Sequence, residues 1–273
     1  MSAAPPVPPD RTAAPAPPDL ESLAARRRVV LKDEPAARVE VLGDGAEAVV
    51  RKTYRNRGLR LLQTFLRHSR ARRELANLRA IERAGVPCTP PLAADDRRRL
   101  GLVPESTLVT AWVPDTATLK QVLADPTVRA PARRALARAL GLLLARLHRA
   151  GILWVTPMPR NVLVHGAPAA ARLVLCDAPA ALRLRGPVPA SAAQIDLYDA
   201  VASPSRQREW SRSERRRCLL AYCAGDRGRT RALWRRLAVR SRGAHRLRKN
   251  LWLVLRAIIL RHLRPDDPGP PAR

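Results

Sequence analysis

Leu147-His148-Arg149-Ala150-Gly151-Ile152-Leu153-Trp154-Val155-Thr156-Pro157-Met158-Pro159-Arg160-Asn161-Val162-Leu163-Val164 is the stretch whose reading decides the fold. A helix end, a proline-bearing loop and a short apolar run follow one another. Upstream, Pro131 opens and Gly151 closes a pattern in which Leu136, Leu140, Leu143, Leu144 and Leu147 recur at helical spacing, the mark of one buried face. Downstream, Gly166-Ala167-Pro168 separates Asn161–Val164 from a second apolar run, Arg172–Cys176, which leads into Asp177. As adjacent strands, the two runs would bring Asn161 and Asp177 to neighbouring strand ends. Both side chains offer oxygen to a hard cation, which suits Mg²⁺ bridging nucleotide phosphates. Taken singly, each has a plainer reading: Asn161 caps the loop, and Asp177 begins the turn before Ala178-Pro179.

Towards the N-terminus the pattern changes to β-like runs, at Val29–Leu31, Arg38–Leu42 and Ala46–Tyr54, the last two joined by Gly43-Asp44-Gly45 as a hairpin turn. Alternation puts Lys52 on the face of Val50, with Arg51 facing the other way. A basic helical stretch leads into a helix over 71–84 that stops at Gly85, with Pro87 just beyond. Leu75, Leu78 and Ile81 form its apolar stripe, and Glu74 lies beside it. A carboxylate there needs a cation to stay charged. Lys52 is the expected partner, with an arginine of Arg70-Ala71-Arg72-Arg73 as the alternative. Ser106–Val113 reads as another strand, and helical patterns dominate from Ser191 to Leu263. Strands first and helices later predict an α+β fold, a small strand-rich lobe on a helical one.

The order of a strand lysine, a helix glutamate, a loop asparagine and a strand-end aspartate resembles the protein-kinase plan. More closely, Val49-Val50-Arg51-Lys52-Thr53-Tyr54, Arg72-Arg73-Glu74-Leu75-Ala76-Asn77-Leu78 with Ala84-Gly85-Val86-Pro87, Leu147–Gly151 and Pro159–Val164 resemble the lipopolysaccharide kinase (Kdo/WaaP) family. The similarity spans about Val29 to Arg240, and Ser213–Tyr222 also looks like that family's helical part. The resemblance implies a protein-kinase-like two-lobed fold. Its parts would be an Ala/Pro-rich disordered tail over 1–19, an N-lobe over 20–113, a helical C-lobe over 114–264 and a second disordered tail over 265–273. It also implies an ATP-dependent phosphotransferase using Mg²⁺ and acting on Kdo or heptose sugars of the lipid A core. Lys52 would hold the α/β-phosphates, Glu74 would position Lys52, and Asn161 and Asp177 would bind the metal.

Two departures qualify this. The kinase loop would carry its catalytic-base aspartate five positions before the asparagine, and that position is Thr156. A threonine hydroxyl does not accept a proton at neutral pH, and losing a positioned base costs ~10²–10⁴ in rate. Nucleotide binding would survive, because phosphoryl transfer rests mostly on positioning and charge stabilisation. A pseudokinase, binding nucleotide or a partner without catalysis, is therefore the alternative. The second departure is the phosphate-covering loop, expected around Asp33-Glu34-Pro35-Ala36-Ala37, which has no glycine and two acids.

Composition bounds the partners. With 51 Lys+Arg against 23 Asp+Glu, the formal charge of +28 favours phosphate-rich partners. Only Lys32, Lys52, Lys120 and Lys249 are lysines, and the dominance of arginine, alanine and proline looks like a GC-rich bacterial genome. Nucleic acid is disfavoured by an aromatic content of 3% and the lack of a recognisable readout module. The expected partner is lipopolysaccharide or a lipid-linked sugar precursor. Arg67–Arg73 and His245–Arg264 are compatible with peripheral contact at an anionic membrane, although a core helix is the plainer reading of the second stretch. Cys88, Cys176, Cys218 and Cys223 share no metal-ligand spacing, and the chain has no apolar run of spanning length. A cytoplasmic protein, peripheral at the inner membrane in the family reading, is expected.

Overall fold

A computed structural model describes residues 18–65 and 68–238, together with Leu247 and Leu251. Asp19, placed by the sequence reading at the end of a disordered tail, instead caps α1 (Leu20–Arg26), its carboxylate accepting from the amides of Glu21 and Ser22. Leu23 of this helix packs with Leu42, Val49 and Val109 in a small core. The strands β1 (Arg28–Glu34), β2 (Ala37–Leu42) and β3 (Val49–Arg55) form an antiparallel meander, in which Lys52 lies opposite Val39. Gly43, at φ +80, and a 3₁₀ turn over Gly45–Glu47 occupy the β2–β3 connection, so the third strand starts at Val49 rather than at Ala46. The β1–β2 turn is tight, with Glu34 paired to Ala37 across Pro35-Ala36.

After a single turn, α2 (Leu59–Leu62), comes α3 (Arg70–Arg83), capped by the Ser69 hydroxyl and stopped at Gly85. It buries Ala71, Glu74, Asn77, Leu78 and Ile81. Then follow β4 (Pro91–Arg99) and β5 (Leu102–Ala111), completing a five-stranded sheet in the order β1-β2-β3-β5-β4.

The second lobe begins with β6 (Thr116–Thr118), α4 (Leu119–Ala124) and the long α5 (Ala130–Arg149). Next are β7 (Ile152–Leu153), β8 (Val162–His165), β9 (Arg172–Leu175) and β10 (Leu182–Arg183). The strands β6, β8 and β9 make one small sheet, and β7 and β10 a two-stranded ladder. α6 (Ala190–Leu197) runs into a π-helical turn, followed by α7 (Pro204–Glu209), α8 (Arg212–Tyr222) and α9 (Arg227–Ala238). Leu136, Leu140, Leu144 and Leu147 of α5 are buried in the main core. Gly141 lets α8 approach closely, since a Cβ built there would lie 2.1 Å from the Cys218 carbonyl oxygen.

The two lobes are tied by backbone. Thr89 N donates to Leu175 O at 2.8 Å and Leu175 N to Pro87 O at 3.0 Å, so the chain leaving α3 runs beside β9 two residues before Asp177. All four cysteines are free thiols. Among the described residues no helix is long and apolar enough to cross a membrane. The stretch 245–264 considered for membrane contact lies outside the described residues except for Leu247 and Leu251, both exposed.

Candidate active site

Strand alternation gives Lys52 and Tyr54 the same face of β3, turned towards α3. Lys52 Nζ donates to Glu74 Oε1 at 3.1 Å and to Asp177 Oδ1 at 2.5 Å. The Tyr54 hydroxyl donates to the other oxygen of Glu74. The side chain of Glu74 is fully buried, while Lys52 and Asp177 keep 17% and 25% exposure, so the cluster opens to solvent on the side of the lysine and the aspartate. Glu74 thus takes Lys52 rather than a neighbouring arginine; Arg72 pairs with Asp96 instead.

Burial pushes the Glu74 carboxyl up to about 7, against the pull of the Lys52 ammonium. Burial works against the charge on Lys52 as well, but Glu74, Tyr54 and Asp177 together raise it well above the ordinary lysine range. Burial likewise opposes the charge on Asp177, and Lys52, Glu74 and Arg70 together outweigh it, holding that carboxyl below its ordinary value. Lys52 and Asp177 are therefore charged near neutrality, and Glu74 is the member that titrates there.

α3 is pinned to the segment after β9. Asn77 Nδ2 donates to the carbonyls of Ala178 at 2.8 Å and Ala181 at 3.1 Å, and Ala178 N reaches Glu74 Oε1 at 3.4 Å. The indole of Trp154, fully buried, donates to Asp177 O at 2.7 Å. Asn161 sits in a 3₁₀ turn before β8. Its carbonyl accepts from Cys176 N at 3.1 Å, which places it beside the residue preceding Asp177. Asn161 Nδ2 donates to the carbonyl of Thr156 at 3.1 Å, a bond that leaves its amide oxygen available. An amide oxygen and a carboxylate from neighbouring strand ends fit a magnesium ion, which keeps several waters and takes its remaining ligands from phosphates.

The loop between them is held from below. Asp196, fully buried, accepts from Trp154 N and Val155 N, each at 2.7 Å, and pairs with His148 Nε2 at 3.0 Å. His148 Nδ1 in turn meets the Tyr222 hydroxyl at 2.9 Å. Val155 adopts φ +71, a left-handed conformation unfavourable for a β-branched residue and costing ~1–3 kcal/mol. Thr156 Oγ1 is buried without a hydrogen-bond partner among the described residues. Two of the three bonds of Asp196 go to the loop backbone and the third to His148, so this carboxylate holds the loop.

The roles of four contributors escaped the sequence reading. Tyr54 was signalled by its spacing of two from Lys52, and Asp196 by a carboxylate between the apolar Ile195 and Leu197. The roles of Asn77 and His148 depend on partners 101 and 48 residues away and had no local signal. Among the described residues, a cavity of about 480 Å³ lies by the π-helical turn and α9; no carboxylate lines it, and it includes none of the four predicted site residues.

A sequence model of the lipopolysaccharide kinase (Kdo/WaaP) family matches residues 31–222, most of the chain, Lys52, Glu74, Asn161 and Asp177 included. The chain belongs to the lipopolysaccharide kinase family. Among solved structures it resembles "WaaP in complex with acyl carrier protein", with 20% identity and a TM-score of 0.56 over 88% of this chain and 92% of that one. At that identity the likeness shows a shared kinase-like fold. A comparison with curated protein sequences finds no match. Within this lipopolysaccharide kinase family member, the Lys52 cluster and the loop on Asp196 meet where the two lobes join.

Proposed function

We propose that the chain is an ATP-dependent phosphotransferase acting on a Kdo or heptose sugar of a lipopolysaccharide precursor. The observation that carries the reading is the convergence of Lys52, Glu74 and Asp177, from three distant stretches of chain, at 3.1 Å and 2.5 Å. In this reading Lys52 holds the α/β-phosphates and Glu74, steadied by Tyr54, aims it. Asn161 and Asp177 would hold Mg²⁺, which supplies charge neutralisation at the phosphates when bound. Nucleotide would draw the Lys52 ammonium towards phosphate.

Thr156 stands where the base is expected, so the acceptor hydroxyl would give up its proton unaided and transfer would be slow. That one residue is also what favours a second reading, a pseudokinase that binds nucleotide and regulates a partner. The protein would work in the cytoplasm against the inner face of the membrane, and a protein partner of the kind bound to WaaP is compatible with it.

Single-turnover transfer of labelled phosphate from ATP to lipopolysaccharide precursors tests the reading, with wild type, Thr156→Asp and Lys52→Ala side by side. Slow transfer by wild type, a gain of about 10²-fold in Thr156→Asp and none in Lys52→Ala are expected. Nucleotide binding without transfer by wild type or by Thr156→Asp would hand the case to the pseudokinase.

A further inference from the structure

Four large apolar side chains meet solvent at one end of the first lobe. Leu59, Leu62 and Phe65, on α2 and the turns that continue it, are 78%, 63% and 54% exposed, and Leu100, in the β4–β5 turn, is 94% exposed. The first three recur at every third residue, while Leu61 and Thr64 between them turn inward. The two segments are fastened together. Asn56 Nδ2 donates to Val103 O at 2.9 Å, Asn56 N to Pro104 O at 2.8 Å, and Val103 N to the Thr64 hydroxyl at 2.9 Å. A braced connection therefore presents these side chains to solvent.

The fold gains nothing from leucine at the hairpin tip. Leu100 and Gly101, at φ +49 and +78, form the two-residue turn between Arg99 and Leu102, a place that favours asparagine before glycine. Leucine there is disfavoured both by its backbone conformation and by its contact with water. A single exposed leucine needs no explanation, but a cluster drawn from two segments marks an interaction surface.

Charge identifies what the surface meets. Exposed Arg57 and Arg60 flank the first segment and exposed Arg97 and Arg99 the second, and no acid occurs between Arg55 and Arg73. Of the acids on β4 and β5, Asp96 is held by Arg72 and Arg98, and Asp95 and Glu105 lie further from the turn. A second copy of the chain would set one positive rim against another. Nucleic acid would use the arginines but leave the leucines without a role, since its bases stack on aromatic rings. An anionic bilayer takes both, apolar side chains at the acyl boundary and arginines at the headgroup phosphates.

We propose that this end of the first lobe docks on an anionic membrane, with Leu59, Leu62, Phe65 and Leu100 inserted below the headgroups. The inference deepens the phosphotransferase reading and rests on it for the purpose of docking, which is to reach a lipid-linked acceptor. Because α2 joins the strand of Lys52 to the helix of Glu74, docking holds the nucleotide-anchoring lobe at the lipid surface.

Sedimentation of the full chain with phosphatidylcholine vesicles, with and without phosphatidylglycerol, tests this. Wild type is expected to bind the mixed vesicles, and the neutral ones roughly tenfold or more weakly. Leu59→Ser/Leu62→Ser/Phe65→Ser should lose roughly tenfold or more on the mixed vesicles at an unchanged melting temperature, and Leu100→Ser should show a smaller loss. Val30→Ser/Leu31→Ser, at exposed apolar positions on β1 at the opposite edge of the sheet, should bind as wild type does. The proposal is overturned if wild type does not bind, if the triple variant binds as wild type does, or if the β1 pair weakens binding as much. Arg57→Gln/Arg60→Gln should weaken binding several-fold on mixed vesicles only, and no change there would equally contradict it. Titration of Mg-ATP without vesicles separates the two readings. Nucleotide binding by a wild type that ignores vesicles removes the docking surface alone, and vesicle binding by a wild type that ignores Mg-ATP removes the phosphotransferase alone.

Discussion

Glu74 stands at the balance point of the Lys52 cluster, because burial opposes its charge while Lys52 and Tyr54 favour it. Its folded-state pKa, about 7, lies above its ordinary 4.5. The folded protein therefore holds a proton in that window that the unfolded chain has released, and stability falls as pH rises from 4.5 through 7. Glu74→Gln removes this dependence. We expect the stability difference between wild type and Glu74→Gln to move in favour of the variant by on the order of 1–3 kcal/mol across that window, as measured by urea unfolding at several pH values. A pH-independent difference would contradict the assignment. The pair of Lys52 and Glu74 was legible in the sequence because each obeys a period, two for the strand and 3.6 for the helix. Tyr54 obeys the same period as Lys52, but a strand tyrosine on a buried face reads as core until its hydroxyl partner is seen.

At the scale of elements, the loop from Trp154 to Asn161 keeps its shape through Asp196 rather than through its own sequence. Removing a fully buried carboxylate that accepts from two backbone amides and His148 leaves those donors unsatisfied. Asp196→Ala should lower unfolding free energy by ~3–5 kcal/mol in denaturant titration, and a loss below ~1 kcal/mol would show that the loop does not depend on it. Gly141→Ala tests the seat of α5 on α8, with ~1–3 kcal/mol of destabilisation expected from the forced separation. α5 and the two strands flanking Gly166-Ala167-Pro168 were legible from periodicity and turn residues. β4 was not, because Asp95-Asp96-Arg97-Arg98-Arg99 has the charge of a loop. An edge strand bears such charge well, and its pairing with β5 supplies what its own propensity lacks.

For the whole molecule, a formal charge of +28 means self-repulsion that salt screens. The melting temperature should rise by several degrees between about 20 mM and about 300 mM NaCl; a fall would show that local ion pairs such as Arg133–Glu214 outweigh the overall field. The order of the four polar residues along the chain pointed to the two-lobed plan before any contact was visible. The joining of the lobes was not readable, because it rests on backbone bonds between Pro87–Thr89 and Leu175 that no side chain announces. The account as a whole turns on the Lys52 cluster beside that junction. Calorimetric titration of ATP, with and without Mg²⁺, into wild type, Lys52→Ala and Asp177→Ala tests it most directly. Magnesium-dependent binding by wild type, weakened roughly tenfold or more in either variant, is the predicted result. Equal affinity in all three proteins, or no binding to wild type, would contradict it.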